Sequence, residues 1–397
     1  MPLRPPSGFI SAFYDPLNNP NAPTIGTATG GDASASVAFT PPANVGGSAI
    51  TGYGAISTPG DVTATAASSP VTVSGLTNGT AYTFAVWALN SYGPSPYSAA
   101  SGSVTPQDTS NRAIYSGGNN GSNDVNVIQY FNITTTGNAT DFGDLVAALD
   151  RIAACASATR GLTGGGGVNS IDYITIATLG NAQDFGDLLA ANTAPTALSS
   201  STRGVFAGGE ASGFFNVIQY LTIATLGNAT DFGDLLFGTS FCSSCASTTR
   251  GVVFSGDRTF SADRNVIQYI TIATTGNAID FGDLPEPPYG YDKAAACSNS
   301  TRGLIAGSNN NAINYITIAT TGNAADFGDL TFAGSYQQLA ACANTTRATF
   351  GGGQQTSTQV NVISYVTIAS LGNAVDFGDL LFANFALAAC SNAHGGL

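Results

Sequence analysis

Charged side chains are scarce in this chain. Of its 397 residues only 9% are charged, and 24 acidic residues stand against 11 basic ones. Nucleic-acid-binding proteins need a basic surface that offsets the phosphate charge. This balance therefore argues against a nucleic-acid partner.

Histidine and tryptophan are almost missing, with one residue of each, His394 and Trp87. A Ser-His-Asp relay or a site with paired His ligands would have to use that single His. The Trp-containing box of sialidases is absent as well. The remaining arrangement for glycoside hydrolysis is a pair of carboxylates in which Glu286 or Asp292 is joined by another acid. Nothing in the sequence singles out such a pair. We predict no enzyme and assign no catalytic residue.

Long apolar runs are also lacking. No stretch approaches the roughly 20 residues of a membrane helix. Residues 1–20 carry Pro and Asp early and contain no uninterrupted apolar core, which is unlike a Sec signal peptide. We expect neither membrane insertion nor export by that route.

Six cysteines are present, and their spacing does not indicate disulfides. Five recur at one position of a repeat described below, where equivalent residues are unlikely to approach within disulfide distance: Cys155, Cys245, Cys297, Cys342 and Cys390. Cys242 forms Cys-x-x-Cys with Cys245, but no second pair completes a metal site. We predict buried, reduced thiols that serve packing, and no metal centre.

One phrase dominates residues 112–397. A Tyr is followed eleven residues later by Asp-Phe-Gly-Asp-Leu in six copies, spaced 43 to 50 residues apart, and such a period marks a repeat architecture. A full copy splits at its turn residues into four short strands, which is typical of a β-propeller blade. The paired Gly after the second strand and the Tyr strand resemble the kelch repeat, with Phe in place of its usual Trp.

The first copy lacks the Ala-Ala-Cys strand with which other copies begin. Residues 387–392 supply such a strand after the sixth copy. We predict that this strand completes the first blade and closes a six-bladed propeller over residues 108–397, which removes an exposed sheet edge.

Residues 20–107 alternate apolar and polar side chains between turn signals, as in an antiparallel β-sandwich. The run from Gly75 to Ser98 resembles fibronectin type III domains, with Leu76 and Tyr82 at the tyrosine-corner positions. Residues 1–19 precede this sandwich as an arm. The arm serves either as a docking segment or as a cover strand, and its apolar centre holds Phe9, Ile10, Phe13 and Tyr14. The predicted fold class is all-β throughout.

Each repeat carries one Arg and an Asp that begins the pentapeptide. We predict a structural ring in which Arg meets Asp, and favour it over calcium coordination by the repeat Asn and Asp. No cofactor is expected. The ring residues are Arg112, Arg160, Arg203, Arg250, Arg302 and Arg347, with Asp141, Asp184, Asp231, Asp280, Asp326 and Asp376.

Length differences between copies fall in two loops, the hairpin between the second and third strands and the connection to the next copy. In a four-stranded antiparallel blade these loops share one face, which predicts a variable face suited to binding. Among its aromatic residues, Tyr289, Tyr291 and Tyr336 are the candidate sugar-stacking side chains.

Arm, sandwich and repeat phrase together resemble virion-surface proteins of tailed phages, notably those of marine bacteria. The resemblance implies a structural protein of tail or capsid that is attached to other virion proteins by its arm. It also implies that the propeller is displayed to a host glycan or protein, and homo-oligomers fit this setting. The alternatives are a carbohydrate-active enzyme on the same scaffold and a bacterial surface adhesin.

Overall fold

The computed structural model describes residues 18–78, 80–106, 110–254, 256–257, 265–285, 293–308, 310–332 and 334–397. These residues form strands, turns and loops without any helix, so the predicted all-β class is confirmed. A membrane-spanning helix is accordingly not found among them. The chain divides into two compact units, Met1–Thr109 and Ser110–Leu397. The predicted arm residues Phe9, Ile10, Phe13 and Tyr14 lie outside the described residues.

The N-terminal unit contains two antiparallel sheets. The strands are β1 (Thr24–Gly31), β2 (Ser34–Thr40), β3 (Gly52–Thr58), β4 (Thr63–Ala66), β5 (Val71–Ser74), β6 (Thr83–Asn90) and β7 (Gly93–Pro94). One sheet has the order β1-β2-β5 and the other β4-β3-β6-β7. Alternate residues of β2, β5 and β6 are buried and share one apolar cluster, as the sequence pattern predicts.

The predicted tyrosine corner is present in this unit. The Tyr82 hydroxyl accepts a hydrogen bond from the Thr77 backbone N–H at 3.1 Å, and both Leu76 and Tyr82 are buried. This bond ties the start of β6 to the turn that precedes it.

The described residues of the C-terminal unit form six four-stranded antiparallel sheets, numbered here as repeat sheets 1 to 6. Sheet 1 contains β8 (Arg112–Ser116), β9 (Val127–Asn132) and β10 (Thr140–Asp144). Sheet 2 contains β11 (Ile152–Ala156), β12 (Arg160–Gly165), β13 (Val168–Thr175) and β14 (Gln183–Asn192). Sheet 3 contains β15 (Thr196–Ser199), β16 (Arg203–Ala207), β17 (Val217–Thr222) and β18 (Thr230–Asp234).

Sheet 4 contains β19 (Ser243–Ala246), β20 (Arg250–Phe254), β21 (Val266–Thr271) and β22 (Ile279–Asp283). Sheet 5 contains β23 (Ala294–Ser298), β24 (Arg302–Gly307), β25 (Ala312–Thr317) and β26 (Ala325–Asp329). A small separate sheet contains β27 (Tyr336–Gln337), β30 (Gln354–Gln355) and β31 (Thr358–Gln359). Sheet 6 contains β28 (Ala340–Ala343), β29 (Arg347–Gly351), β32 (Val362–Thr367) and β33 (Val375–Asp379). The last strand is β34 (Ala388–Ser391).

The last strand belongs to the first repeat sheet. β34 pairs antiparallel with β8, so that Cys390 lies opposite Ile114. Sheet 1 therefore takes its first strand from the C-terminal end of the sequence and its other three strands from residues 112–144. Residues 387–392 thus supply the strand that the first copy lacks, as the sequence predicts.

The core of the C-terminal unit lies between sheets. Six apolar clusters each draw buried residues from two neighbouring sheets, and one of the six joins sheet 6 to sheet 1. Every sheet thus shares a cluster with the sheet before it and with the sheet after it. The six first strands β11, β15, β19, β23, β28 and β34 also contact one another in the same cyclic order.

Candidate functional site

The repeat Arg, Tyr and Phe form a stack within each sheet. The lead Tyr meets the Phe of Asp-Phe-Gly-Asp edge to face, with ring centroids 5.7 to 6.1 Å apart. The Arg guanidinium lies 4.3 to 4.6 Å from the Tyr ring centroid on the adjacent strand. A cation over an aromatic face contributes about 0.5 to 2 kcal/mol, more when water is excluded.

The same arginines bridge neighbouring sheets. Each Nη1 donates to a backbone carbonyl of the following sheet at 2.5 to 3.2 Å, and Arg347 of sheet 6 bonds to Ile133 and Thr134 of sheet 1. The predicted Arg–Asp pairing is therefore wrong. Between described residues the one ion pair joins Arg151 and Asp150. The guanidinium instead uses an aromatic face and a backbone carbonyl, and no carboxylate of the described residues forms an ion pair with it.

The Asp-Phe-Gly-Asp segment forms a β-bulge. In sheet 1 the register passes from Asp141 opposite Gln129 to Gly143 opposite Ile128, which leaves Phe142 unpaired, and the other five sheets repeat this shift. The bulge Gly has φ between +145° and +150°, a region that side chains rarely adopt. A Cβ there would lie 2.4 to 2.6 Å from the next sheet's Gly-Asn turn.

That turn is fixed by two further bonds. A turn Gly donates to the Phe carbonyl of the preceding sheet at 2.8 to 3.0 Å. The turn Asn accepts the backbone N–H of that sheet's second Asp at 3.0 to 3.1 Å. The predicted ring aspartates, which begin the pentapeptide, are exposed: Asp141, Asp184, Asp231, Asp280, Asp326 and Asp376. Backbone atoms of the pentapeptide, and not aspartate side chains, therefore join the sheets.

The repeat cysteines line a central cavity. All six cysteines are buried and reduced, which confirms their predicted packing role. Burial raises the pKa of the Cys155 and Cys245 thiols to about 12, so both stay protonated. Small Ala, Cys and Ser side chains from the first strands of all six sheets surround a cavity of about 60 Å³. No group of His, Cys, Asp or Glu with metal-ligand geometry occurs among the described residues.

His394 closes one end of the central cavity. Its Nε2–H donates to the Ala156 carbonyl at 2.8 Å, and its Nδ1 accepts the Gly396 N–H at 3.0 Å. Gly395 N–H also donates to the Ser298 carbonyl. Withdrawal from water lowers the pKa of His394, while the bond to Ala156 acts in the opposite direction. A second proton would have to occupy Nδ1, where Gly396 already donates.

The opposite end of the first strands is held by a ring of main-chain bonds. A residue one or two positions before each first strand takes part in this ring. Its N–H donates to the backbone carbonyl of the equivalent residue in the preceding sheet at 2.8 to 3.2 Å. The cycle returns to its start because Arg151 donates to Ala386 and Ala386 to Gln338. We call these six residues the mouth ring: Arg151, Ala194, Phe241, Lys293, Gln338 and Ala386.

The mouth ring has an unusual backbone. All six residues have φ between +51° and +62°, and none is Gly. Non-Gly residues in this left-handed region are uncommon and cluster at functional sites. The ring and the six residues that follow its members line a cavity of about 80 Å³, the mouth cavity. A space of this size holds several water-sized groups.

The two variable loops lie side by side around this mouth. Gly209 in the second-to-third hairpin of sheet 3 donates to Thr239 in the connection to sheet 4, and Gly118 donates to Leu149 in the same way in sheet 1. Beside the mouth, the Glu210 carboxylate accepts the Ser240 hydroxyl. We call these hairpins and connections, together with the mouth ring, the variable face.

The predicted sugar-stacking tyrosines are not supported as a group. Tyr289 and Tyr291 lie outside the described residues, as do Glu286 and Asp292. Tyr336 is 1% exposed, its hydroxyl donates to the Gly352 carbonyl, and its ring packs against Phe332. The predicted binding role of Tyr336 is therefore wrong, because this residue fills the cluster shared by sheets 5 and 6.

The mouth ring was missed from the sequence. Its six members share no residue type, and main-chain bonds leave no compositional signature. The available signal was positional: each member stands one or two residues before a first strand.

Comparison with known proteins identifies part of the chain. Residues 20–103 match the family model of the fibronectin type III domain. The search of curated proteins finds no match to the chain. The N-terminal sandwich, with its β1-β2-β5 and β4-β3-β6-β7 sheets and its tyrosine corner, is thus a fibronectin type III domain.

Proposed function

We propose that this chain is a non-enzymatic display protein whose repeat unit binds a surface glycan or protein through the variable face. The observation that carries this proposal is the contrast within one unit. Six equivalent sets of contacts hold the sheets together, while the mouth ring at their centre carries unlike side chains. Binding residues commonly lie on variable loops that a rigid scaffold positions.

The scaffold in this proposal is a six-bladed kelch-like β-propeller closed by β34. Three observations support it: the shared clusters between consecutive sheets, the cyclic contacts of the first strands, and the pairing of β34 with β8. Four antiparallel strands per repeat are the expected content of a blade.

The fibronectin type III domain acts as a spacer in this proposal, and residues 1–19 attach the chain to a larger assembly. We assign that assembly to the surface of a tailed-phage particle, because the arm, the sandwich and the repeat phrase together resemble virion-surface proteins. Antibody labelling of intact particles tests this assignment, and label found only on host cells would contradict it.

Exchange of variable hairpins tests the binding role. Sheet 2 has the tightest described hairpin, since β12 and β13 are separated by residues 166–167 alone. Residues 117–126 and 208–216 are each replaced by the segment 165–169, which keeps the flanking strands in register. We expect loss of binding to a glycan array or to host envelopes, while the melting temperature stays close to that of the parent.

An exchange on the opposite face is the matched control. The turn at residues 224–228 is replaced by its counterpart 273–277, which differs from it only by Thr in place of Leu226. Binding should persist in this control. Binding that survives both hairpin exchanges would contradict the proposed role of the variable hairpins.

A further inference from the structure

The positions of the cationic side chains single out the mouth cavity. The chain has 11 Lys and Arg residues. Three, Arg4, Arg258 and Arg264, lie outside the described residues, and the six repeat arginines stack on Tyr and bond to neighbouring sheets. The remaining two are Arg151 and Lys293, and both line the mouth cavity. The two described cationic side chains that do not stack on a repeat Tyr therefore lie at one site.

The geometry of these two residues suits recognition of an anion. Arg151 keeps 44% of its side chain exposed, and its pair with Asp150 uses Nε at 3.0 Å. Its two terminal amino groups make no hydrogen bond with the described residues and are available to a ligand. Lys293 Nζ lies 5.6 Å from the Phe241 ring centroid, so the aromatic face holds the ammonium group beside the cavity.

The neighbouring groups fit a polar, partly apolar ligand. Gln338 adds an amide to the cavity wall, while Ile152, Pro195 and Leu339 supply apolar surface. Among the described residues near the cavity, Asp150 is engaged by Arg151, and Glu210 accepts the Ser240 hydroxyl. The volume of about 80 Å³ admits one small charged group and leaves the rest of a ligand on the surrounding loops.

We infer that the mouth cavity binds an anionic group of a glycan, either the carboxylate of an acidic sugar or a sulfate ester. This inference rests on the proposed binding function of the variable face and names the ligand class. Arg151 and Lys293 contact the oxyanion, and charge-assisted bonds of this kind are the stronger class of hydrogen bond. The main-chain bonds of the mouth ring fix the backbone from which both side chains extend, which lowers the entropy lost on binding.

Three oligosaccharide probes test the inference with the full chain: oligogalacturonate for the carboxylate, sulfated dextran for the sulfate ester, and unmodified dextran as the neutral reference. Affinity is measured by calorimetry at low and at high salt. The binding variant is Arg151→Asn with Lys293→Asn. Asn tolerates positive φ, so this variant removes both charges and keeps the ring backbone. The matched control is Arg151→Lys with Lys293→Arg, which retains both charges.

We expect at least one acidic probe to bind, with lower affinity at high salt and a loss of about tenfold or more in the Asn variant. The charge-preserving control should retain most of the affinity. Equal binding of the neutral probe, absence of binding by both acidic probes, or unchanged affinity in the Asn variant would overturn the inference.

The proposed function can be judged separately from this inference. A glycan that binds the parent and the Asn variant equally, but not the hairpin exchanges, would leave the variable face as the binding surface and remove the anion site. Binding of an acidic probe that survives the hairpin exchanges but is lost in the Asn variant would support the anion site in the mouth cavity. It would also show that the variable hairpins do not contribute to binding.

Discussion

The two ends of the first strands are held in different ways. At the His394 end, side chains take part in the contacts, because Arg and Asn of one sheet bond to the backbone of a neighbouring sheet and His394 closes the central cavity. At the mouth ring, main-chain atoms make them. Where Arg and Asn side chains join the sheets, the sequence repeats. At the mouth ring one main-chain requirement is met by five residue types, Arg, Ala, Phe, Lys and Gln.

Removing contacts at both ends of the first strands at once should have the largest effect on the stability of the repeat unit. Deletion of residues 386–397 takes away Ala386 of the mouth ring, β34 of sheet 1 and the His394 contacts. We expect the cooperative melting transition of the repeat unit to collapse in calorimetry, while the fibronectin type III domain keeps its own transition. An unchanged repeat transition would show that β34 is dispensable.

A single methyl group added at the bulge tests the contacts between sheets at the His394 end. In Gly328→Ala the new Cβ would lie 2.4 Å from the Gly372 carbonyl oxygen, at φ +149°. We expect a loss of roughly 3 kcal/mol in the free energy of unfolding by urea. Gly322→Ala is the control, because its φ of +155° is similar but nothing lies within 4 Å. Equal losses would mean that the close approach of sheets 5 and 6 adds nothing.

Two arginines compare the ends directly. Arg250→Gln removes the stack on Tyr269 and the bond to the Ile318 carbonyl, which should lower the free energy of unfolding by about 2 kcal/mol. Arg151→Gln removes only a surface ion pair, worth about 0 to 1 kcal/mol. Similar losses of unfolding free energy in urea titrations of the two variants would contradict the view that side chains join the sheets at one end only.

Protonation of His394 should give the smallest effect. Because its folded-state pKa lies below the usual 6.5, the unfolded chain binds the proton first as the pH falls. Stability of the repeat unit should therefore decline from about pH 6.5 down to the folded-state pKa. His394→Gln should flatten the melting temperature over this range, since the chain has one His. A parent whose melting temperature is flat there would contradict the neutral, buried imidazole.

The sequence predicted the parts of the fold that side-chain patterns encode. Alternation identified the strands, the tyrosine corner followed from Leu76 and Tyr82, and equivalent spacing explained the reduced cysteines. It failed where a contact depends on distance between sheets. Opposite charges suggested Arg with Asp, but the bulge turns the first Asp outward and leaves the guanidinium beside Tyr.

The binding residues were harder to predict for the same reason. Tyr336 stands in a loop of variable length, which suggested exposure, yet its ring completes an apolar cluster between sheets. Arg151 and Lys293 stand 142 positions apart and share no motif. Only the position of both residues at the start of first strands brings them to one cavity.

The main-chain cycle at the mouth has a consequence for engineering. Because the hydrogen bonds of this cycle use no side-chain atoms, the side chains of the six residues can be replaced while the main-chain bonds are kept. A library randomised at these six positions, with Asn and Gly retained as fallback residues for positive φ, would sample new specificities without redesign of the scaffold.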